Sequence, residues 1–171
     1  MLIWYFWIYS FLGYLLEKAF AKVARSAQQG RKCFLFLPLC PVYGLGMLAV
    51  LALPPAWTEG MSLVIWGGIA ATAVEYAVHW AYDVFLHVRF WDYSAVPGNL
   101  HGRVCLPFSL IWGVLTAAAV RRIQPGVALL AGRVIPQVTW LCLAVFAADA
   151  LFSAKYLLQT GDPEALRADR R

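Results

Sequence analysis

The sequence predicts an all-α, polytopic transmembrane helical bundle of about five spans, built as two parallel-repeated helical hairpins plus a C-terminal helix. Three observations predict it. The 171 residues are 62% hydrophobic and only 13% charged, with a mean hydropathy of +0.67; a soluble domain of this size would have to keep more polar surface in contact with water. The apolar residues gather into five long stretches separated by polar connections, and in hydrocarbon each stretch must satisfy its own backbone groups, which selects helices. Finally, a polar motif, Gly-Arg-x-Cys followed by Leu-Pro, occurs twice, at residues 30–44 ("GRKCFLFLPLCPVYG") and 102–113 ("GRVCLPFSLIWG").

The first stretch, Leu2 to Leu16, has no basic n-region and no small-residue cleavage site, so it is expected to be a retained helix and not a signal peptide. It is short for the roughly 20 residues that cross about 30 Å of hydrocarbon, and its flanks must contribute. Ser10, Gly13, Tyr14 and Glu17 fall on one face of it, where small residues allow close helix contact. The later spans are expected at Phe34–Leu53, Met61–Tyr82, Val104–Val120 and Val134–Leu157. Residues 1–158 then form a single transmembrane domain, and 159–171, containing "TGDPEALRADRR", a loose polar cytoplasmic tail. Trp4, Trp7, Trp57, Trp80, Trp91 and Tyr93 suit interfacial anchors.

Orientation follows from the basic residues. With the N-terminus outside, the inner segments hold Lys18, Lys22, Arg25, Arg31, Lys32, Arg89, Arg103, Lys155, Arg167, Arg170 and Arg171, against Arg121, Arg122 and Arg133 in the outer ones. An N-out, C-in protein of the bacterial inner membrane is expected, with the net charge of +5 drawn to anionic headgroups. No recognition module carries nucleic-acid binding. Cys33, Cys40, Cys105 and Cys142 lie in or beside spans with no disulfide framework or metal-ligand spacing, and are expected to be reduced thiols.

The duplicated motif pairs Gly30 with Gly102, Arg31 with Arg103, Cys33 with Cys105, Pro38 with Pro107, Tyr43 with Trp112 and Gly44 with Gly113. Upstream, "YLLEKAF" (14–20) aligns loosely with "WAYDVFL" (80–86), placing Glu17 opposite Asp83. Each unit is expected to be a helical hairpin, the two running the same way about an axis along the membrane normal. Pro38 and Pro107 suit helix starts. Helix N-termini near Arg31 and Arg103 could then receive an anion, or those arginines could pair internally with Glu17 and Asp83.

In the third span Glu75, His79, Asp83 and His87 recur every fourth residue, stacking on one face of a helix. Such groups at membrane depth face a bundle interior, a partner or a wet cavity. A proton relay, a cation or substrate site, a divalent metal with further ligands from elsewhere, or a hydrogen-bonded structural stripe all fit this spacing. Asp149 in the fifth span requires an inward partner. The segment "WDYSAVPGNLHGRVC" (91–105) is expected to be an ordered inner-face cap, with Asp92 and Asn99 reaching helix starts and Arg103 pairing with Glu17, Glu75 or Asp83. There is no GxxxxGK[ST] loop, GxSxG or HExxH, so no ATPase or hydrolase activity is assigned to the chain, and its cofactors and metals are left open.

The stretches "YSFLGYLLE" (9–17), "FLPLCPVYGLG" (36–46), "VEYAVHWAYDVF" (74–85) and "FWDYS" leading into "NLHGRVCLPFSLIWG" (90–113) resemble the bacterial integral-membrane family labelled "Putative ABC-transporter type IV" (CmpB-like). The resemblance spans about residues 5–125. It departs at Leu39 and the upstream Leu-Pro, and in carrying Asp83 where the family's third helix often ends in Glu. What it implies is a permease-like role, and with the polar groups above the expected function is moving a small solute or ion through an inner-side polar cavity. Glu17, Glu75, His79, Asp83, Asp92, Asn99, Arg31 and Arg103 would line that cavity. Expected partners are membrane lipids, further copies of the chain and a separate ATPase subunit. Two other readings stay open: a membrane-embedded enzyme using the Glu/His/Asp stripe on a lipid or amphipathic substrate, and a non-catalytic lipid-binding assembly or sensory protein.

Overall fold

The computed structural model describes residues 1–23 and 33–166. Among the described residues the chain is all-α apart from one short hairpin: α1 (Leu2–Val23), α2 (Pro41–Leu51), α3 (Gly60–Ala81), β1 (Asn99–Leu100), β2 (Val104–Cys105), α4 (Leu106–Ala118), α5 (Gln124–Gly132) and α6 (Pro136–Thr160). A π-turn, Tyr82–Leu86, prolongs α3, and a second, Ala119–Ile123, joins α4 to α5 without a break. Among the described residues three helices are long and apolar enough to cross a membrane: Gly60–Leu86, Leu106–Gly132 and Pro136–Thr160. At 22 residues α1 is about 33 Å long, but its aromatic and charged residues leave it less apolar than those three.

The expected second span is corrected. Phe34 to Cys40 is looped, and α2 is an 11-residue helix of about 16 Å, half the hydrocarbon thickness. The helix starts at Pro41, not at Pro38, because Pro41 occupies the first turn, where its missing N–H costs nothing. Upstream, the backbone is already committed elsewhere: Leu37 N–H donates to Asp149 Oδ2 at 3.1 Å and Cys40 N–H to the Ser10 carbonyl at 2.9 Å. That also supplies the partner Asp149 required. Pro54 and Pro55 stop α2 at its other end. The fourth span runs further than expected, so Arg121 and Arg122 lie within a helix and not in an outer loop.

The loop 33–40 overturns a second expectation. Cys33 and Cys40 form a disulfide, their Cα atoms 5.0 Å apart, while Cys105 and Cys142 are free. The turn closed by Leu39 N–H to the Leu37 carbonyl brings the two cysteines together, although a six-residue gap is no recognised motif. The described part of the tail, residues 161–166, packs back on the bundle. Gly161 ends α6 in the left-handed conformation (φ 62°), and Leu166 packs with Leu157, Val88 and Phe90.

α1 packs on α2, α2 on α3 and α3 on α4, while α5 returns to the start of α1. The two hairpins α1/α2 and α3/α4 repeat the same contacts. A Cβ at Gly44 would strike the Phe6 carbonyl and Ser10 Oγ, and one at Gly113 would strike the Val64 carbonyl. Gly44 and Gly113 were paired by the sequence motif. The upstream register shifts, however: the interval from Phe6 to Glu17 equals that from Val64 to Glu75, so Glu17 corresponds to Glu75 and not to Asp83. The aligned heptapeptides were apolar strings that slide without penalty. Gly30 and Arg31 lie outside the described residues. α6 stands at the periphery, held by Phe146 against Phe6 and Trp7 and by Trp4 Nε1–H donating to Thr139 Oγ1. Its Trp140, Leu151 and Phe152 face outward.

Candidate functional site

Two carboxyl–aromatic pairs lie at the contact between the hairpins. Tyr43 O–H donates to Glu17 Oε1 at 2.5 Å, and Trp112 Nε1–H to Glu75 Oε2 at 2.7 Å. Tyr93 O–H donates to the other Glu75 oxygen at 3.3 Å. Both glutamates are buried, Glu75 at 2% exposure. The Tyr43 and Trp112 rings meet edge to face, centroids 5.1 Å apart. The repeat therefore juxtaposes its own equivalent residues, each aromatic fixed by a hydrogen bond to the carboxyl of the preceding helix. Tyr43 and Trp112 were visible in the motif as a matched aromatic pair. Their role was not, because in an apolar sequence a Trp or Tyr reads first as an anchor.

Beside this junction lies a cavity of about 440 Å³ between α1 and α4, floored by α2 and α3. Leu12, Leu15 and Leu16 line one wall, Trp112, Leu115, Thr116 and Ile123 the other, and Tyr43, Met47 and Glu75 the floor. Tyr9 O–H donating to Gln124 Oε1 bridges α1 to α5 near one end of it. Toward the other end, Phe20 of α1 contacts Phe108 of α4. Leu15, Leu16, Leu115 and Ile123 are substantially exposed, so the cavity opens sideways. The cavity differs from the inner-side polar one expected. It is apolar, and of the seven candidate residues that are described Glu75 alone lines it.

The remaining candidates build the 91–105 cap. Asp92 Oδ1 accepts the backbone N–H of Ser94 at 2.8 Å and its hydroxyl at 2.5 Å, which hold the carboxyl below its usual range. Asn99 donates to the Ser94 and Val96 carbonyls and accepts from Gly102 N–H. In the β1/β2 hairpin, His101 and Gly102 take positive φ (55° and 67°), and a Cβ at Gly102 would meet Asp92 and Ser94 side chains. The α4 start is served by the Gly98 carbonyl accepting Leu106 N–H, not by Asp92 or Asn99. Both side chains are consumed within the cap itself.

Arg103 pairs with Asp83, Nη2 to Oδ2 at 3.0 Å, and its Nη1 donates to Tyr76 O–H. These partners push the guanidinium further above its usual range. Arg89 bonds the second Asp83 oxygen. Of the two fates open to Arg103, the internal pair is the one seen. Arg31 lies outside the described residues.

The expected Glu75–His79–Asp83–His87 stripe is divided among separate partners. His79 Nε2 hydrogen-bonds the Trp91 carbonyl at 2.9 Å, and its buried Nδ1 has no partner among the described residues. The π-turn at Tyr82 breaks the four-residue period, and His87 closes the helix in the left-handed region. Among the described residues no cluster of three His, Cys, Asp or Glu could hold a metal ion.

A family model described as "Putative ABC-transporter type IV" matches residues 4–154, from the first turn of α1 to late in α6. The chain belongs to this family. Both hairpins, the cap and the cavity lie inside the matched region, which is longer than the segment carrying the motifs. Comparison with curated proteins and with solved structures gives no match. The family and the long apolar helices make it a membrane protein related to ABC-transporter components.

Proposed function

We propose that this chain is the permease-like membrane component of a transport system, moving a small solute or ion, and that the α1/α4 cleft is where that solute binds. The observation that carries the reading is the cleft itself, about 440 Å³ in volume, walled by two repeated hairpins that could rock about their shared α2/α3 contact. Lacking a phosphate-binding loop, the chain takes its energy from a separate ATPase subunit or from an ion gradient. Residues 1–158 act as one inner-membrane unit with N-out, C-in topology, and the outward apolar face of α6 suits association between copies. The cap, with Asp83, Asp92, Asn99 and Arg103, braces the inner end, while Glu75 serves the cleft.

The test is comparative solute profiling. Inverted membrane vesicles with and without the chain are loaded with a cell extract, and their contents are followed by mass spectrometry. At least one solute should change in a chain-dependent way, and Leu16→Trp, which fills the cleft from an exposed position, should abolish the change. Identical contents with and without the chain, or a change that survives Leu16→Trp, would remove the reading.

A further inference from the structure

We propose that the cleft takes a single-chain anionic amphipath, its hydrocarbon chain lying between α1 and α4 and its head group at Lys22. This names the substrate class of the site above and rests on that reading of the cleft. The lining, the opening, the volume and the charge beside the mouth all point to this class.

The polar side chains of the lining are Tyr9, Tyr43, Glu75, Trp112 and Thr116, and each is engaged within the protein. Tyr9 O–H donates to Gln124, Tyr43 O–H to Glu17, Trp112 Nε1–H to Glu75 and Thr116 O–H to the Trp112 carbonyl. Both Glu75 oxygens accept hydrogen bonds. A hydrated solute would shed its water there with little in return, whereas a hydrocarbon chain has no such bonds to lose. The rest of the lining is leucine, isoleucine, valine, methionine, alanine and glycine.

The opening faces lipid. Leu15, Leu16, Leu115 and Ile123 are exposed along it, on α1 and on the apolar helix Leu106–Gly132, so a chain can enter sideways from the hydrocarbon. From Tyr9 to Ala19 the cleft follows α1 for about 15 Å. That is half the hydrocarbon thickness, the reach of one chain from one leaflet. Its volume of about 440 Å³, at about 30 Å³ for each water-sized group, holds about fifteen methylenes, which is one chain and not two.

Charge selects the head group. The lining stripe of α1 (Leu12, Leu15, Leu16, Ala19) continues one turn on in Lys22. Lys22 is exposed in the last turn of α1, beyond the Phe20–Phe108 contact that ends the cleft. An interfacial ammonium attracts an anionic head group, and its flexible stem can follow the apolar surface to reach it. Lys18 lies on a different face, over the Tyr14 ring. The nearest acid on α1, Glu17, is buried and bonded to Tyr43, and Asp83 is held by Arg89 and Arg103.

The experiment uses the full chain in phosphatidylcholine nanodiscs and palmitate carrying a mid-chain diazirine, with photolysis and peptide mapping. Labelling should concentrate on residues 12–19 and 112–123, saturate, and fall at least tenfold in Leu16→Trp. Unlabelled palmitate should compete, whereas dipalmitoyl phosphatidylglycerol at the same concentration should not. Lys22→Gln should weaken palmitate about fivefold and leave the matching hexadecanol probe, the same chain with a neutral head, within twofold. Arg133→Gln, at the other end of the molecule, should change neither. Leu16 and Lys22 are both exposed, which keeps the two variants foldable. Labelling spread evenly over α1, α4 and the outward face of α6 overturns the proposal. So does cleft labelling that survives Leu16→Trp, equal competition by the two-chain lipid, or Lys22→Gln behaving as the wild type. The two readings fail separately. Saturable labelling with vesicle contents that do not depend on the chain leaves the amphipath site and removes transport. A Leu16→Trp-sensitive change in a polar solute, without cleft labelling, leaves the cleft and removes the amphipath.

Discussion

At the residue scale the molecule depends on a few close approaches. Gly113→Ala and Gly44→Ala both drive a methyl into a backbone carbonyl that cannot swing aside, so each should cost about 2 kcal/mol or more. Gly126→Ala meets nothing within 4 Å in a helix and should be neutral or stabilise by about 0.5 kcal/mol. Thermal unfolding of the three variants in detergent checks this, and equal shifts would mean that the hairpins are not packed through these glycines. Arg103 gives a second contrast. Arg103→Ala strands Asp83 with Arg89 alone and unties Tyr76, and should lower the melting temperature visibly. Arg121→Ala loses an exposed hydrogen bond to the Gly60 carbonyl and should shift it much less. Asp92 adds a pH dependence. Its carboxyl is held below the usual range by Ser94, so it stabilises the cap above the unfolded carboxylate pKa, and that contribution is lost as pH falls through the depressed value. Amide exchange at Ser94 and Gly102 should accelerate, relative to intrinsic rates, below that pH in the wild type, and lose this dependence in Asp92→Asn.

At the scale of elements, the looped stretch 33–40 carries the main departure from a plain hairpin. Its disulfide closes a loop of about eight residues, an entropic constraint on the unfolded chain worth about 2 kcal/mol. Cys33→Ser should lower stability by about that much. A reductant should produce the same loss in the wild type and none in the variant, whereas a reductant effect in Cys33→Ser would point to Cys105 or Cys142. This element also shows where sequence reasoning stops. Length and hydropathy found α3, α4 and α6 within a few residues, because a long apolar run in lipid has one solution. They merged 34–40 with α2, because nothing local says that the Leu37 and Cys40 amides are claimed by Asp149 and Ser10, both distant in sequence. Candidate residues followed the same division. The Arg103–Asp83 pair and the ordered cap were legible from charge and turn chemistry. The partners of Glu75 were not, since Trp112 and Tyr93 reach it only once three segments have folded together.

For the whole molecule the open question with most leverage is which end faces the cytoplasm, because two physical rules pull in opposite directions. The end holding Val23, the cap and Thr160 collects Lys18, Lys22, Arg89, Arg103 and Lys155, with further basic residues in the adjoining connections, while Arg121, Arg122 and Arg133 belong to the end near Met1 and Gly60. The positive-inside rule makes the richer end cytoplasmic. Yet the Cys33–Cys40 disulfide belongs to that same end, and the cytoplasm keeps thiols reduced. The charge rule acts on insertion, when topology is set, whereas oxidation follows folding, so N-out, C-in is the expected outcome. A cysteine added after Arg171 in a Cys105→Ser, Cys142→Ser background tests it. An impermeant maleimide should leave it unlabelled in spheroplasts and label it after lysis. Labelling of the terminal cysteine in intact spheroplasts would invert the topology and place the disulfide, the cap and the buried glutamates toward the oxidising side.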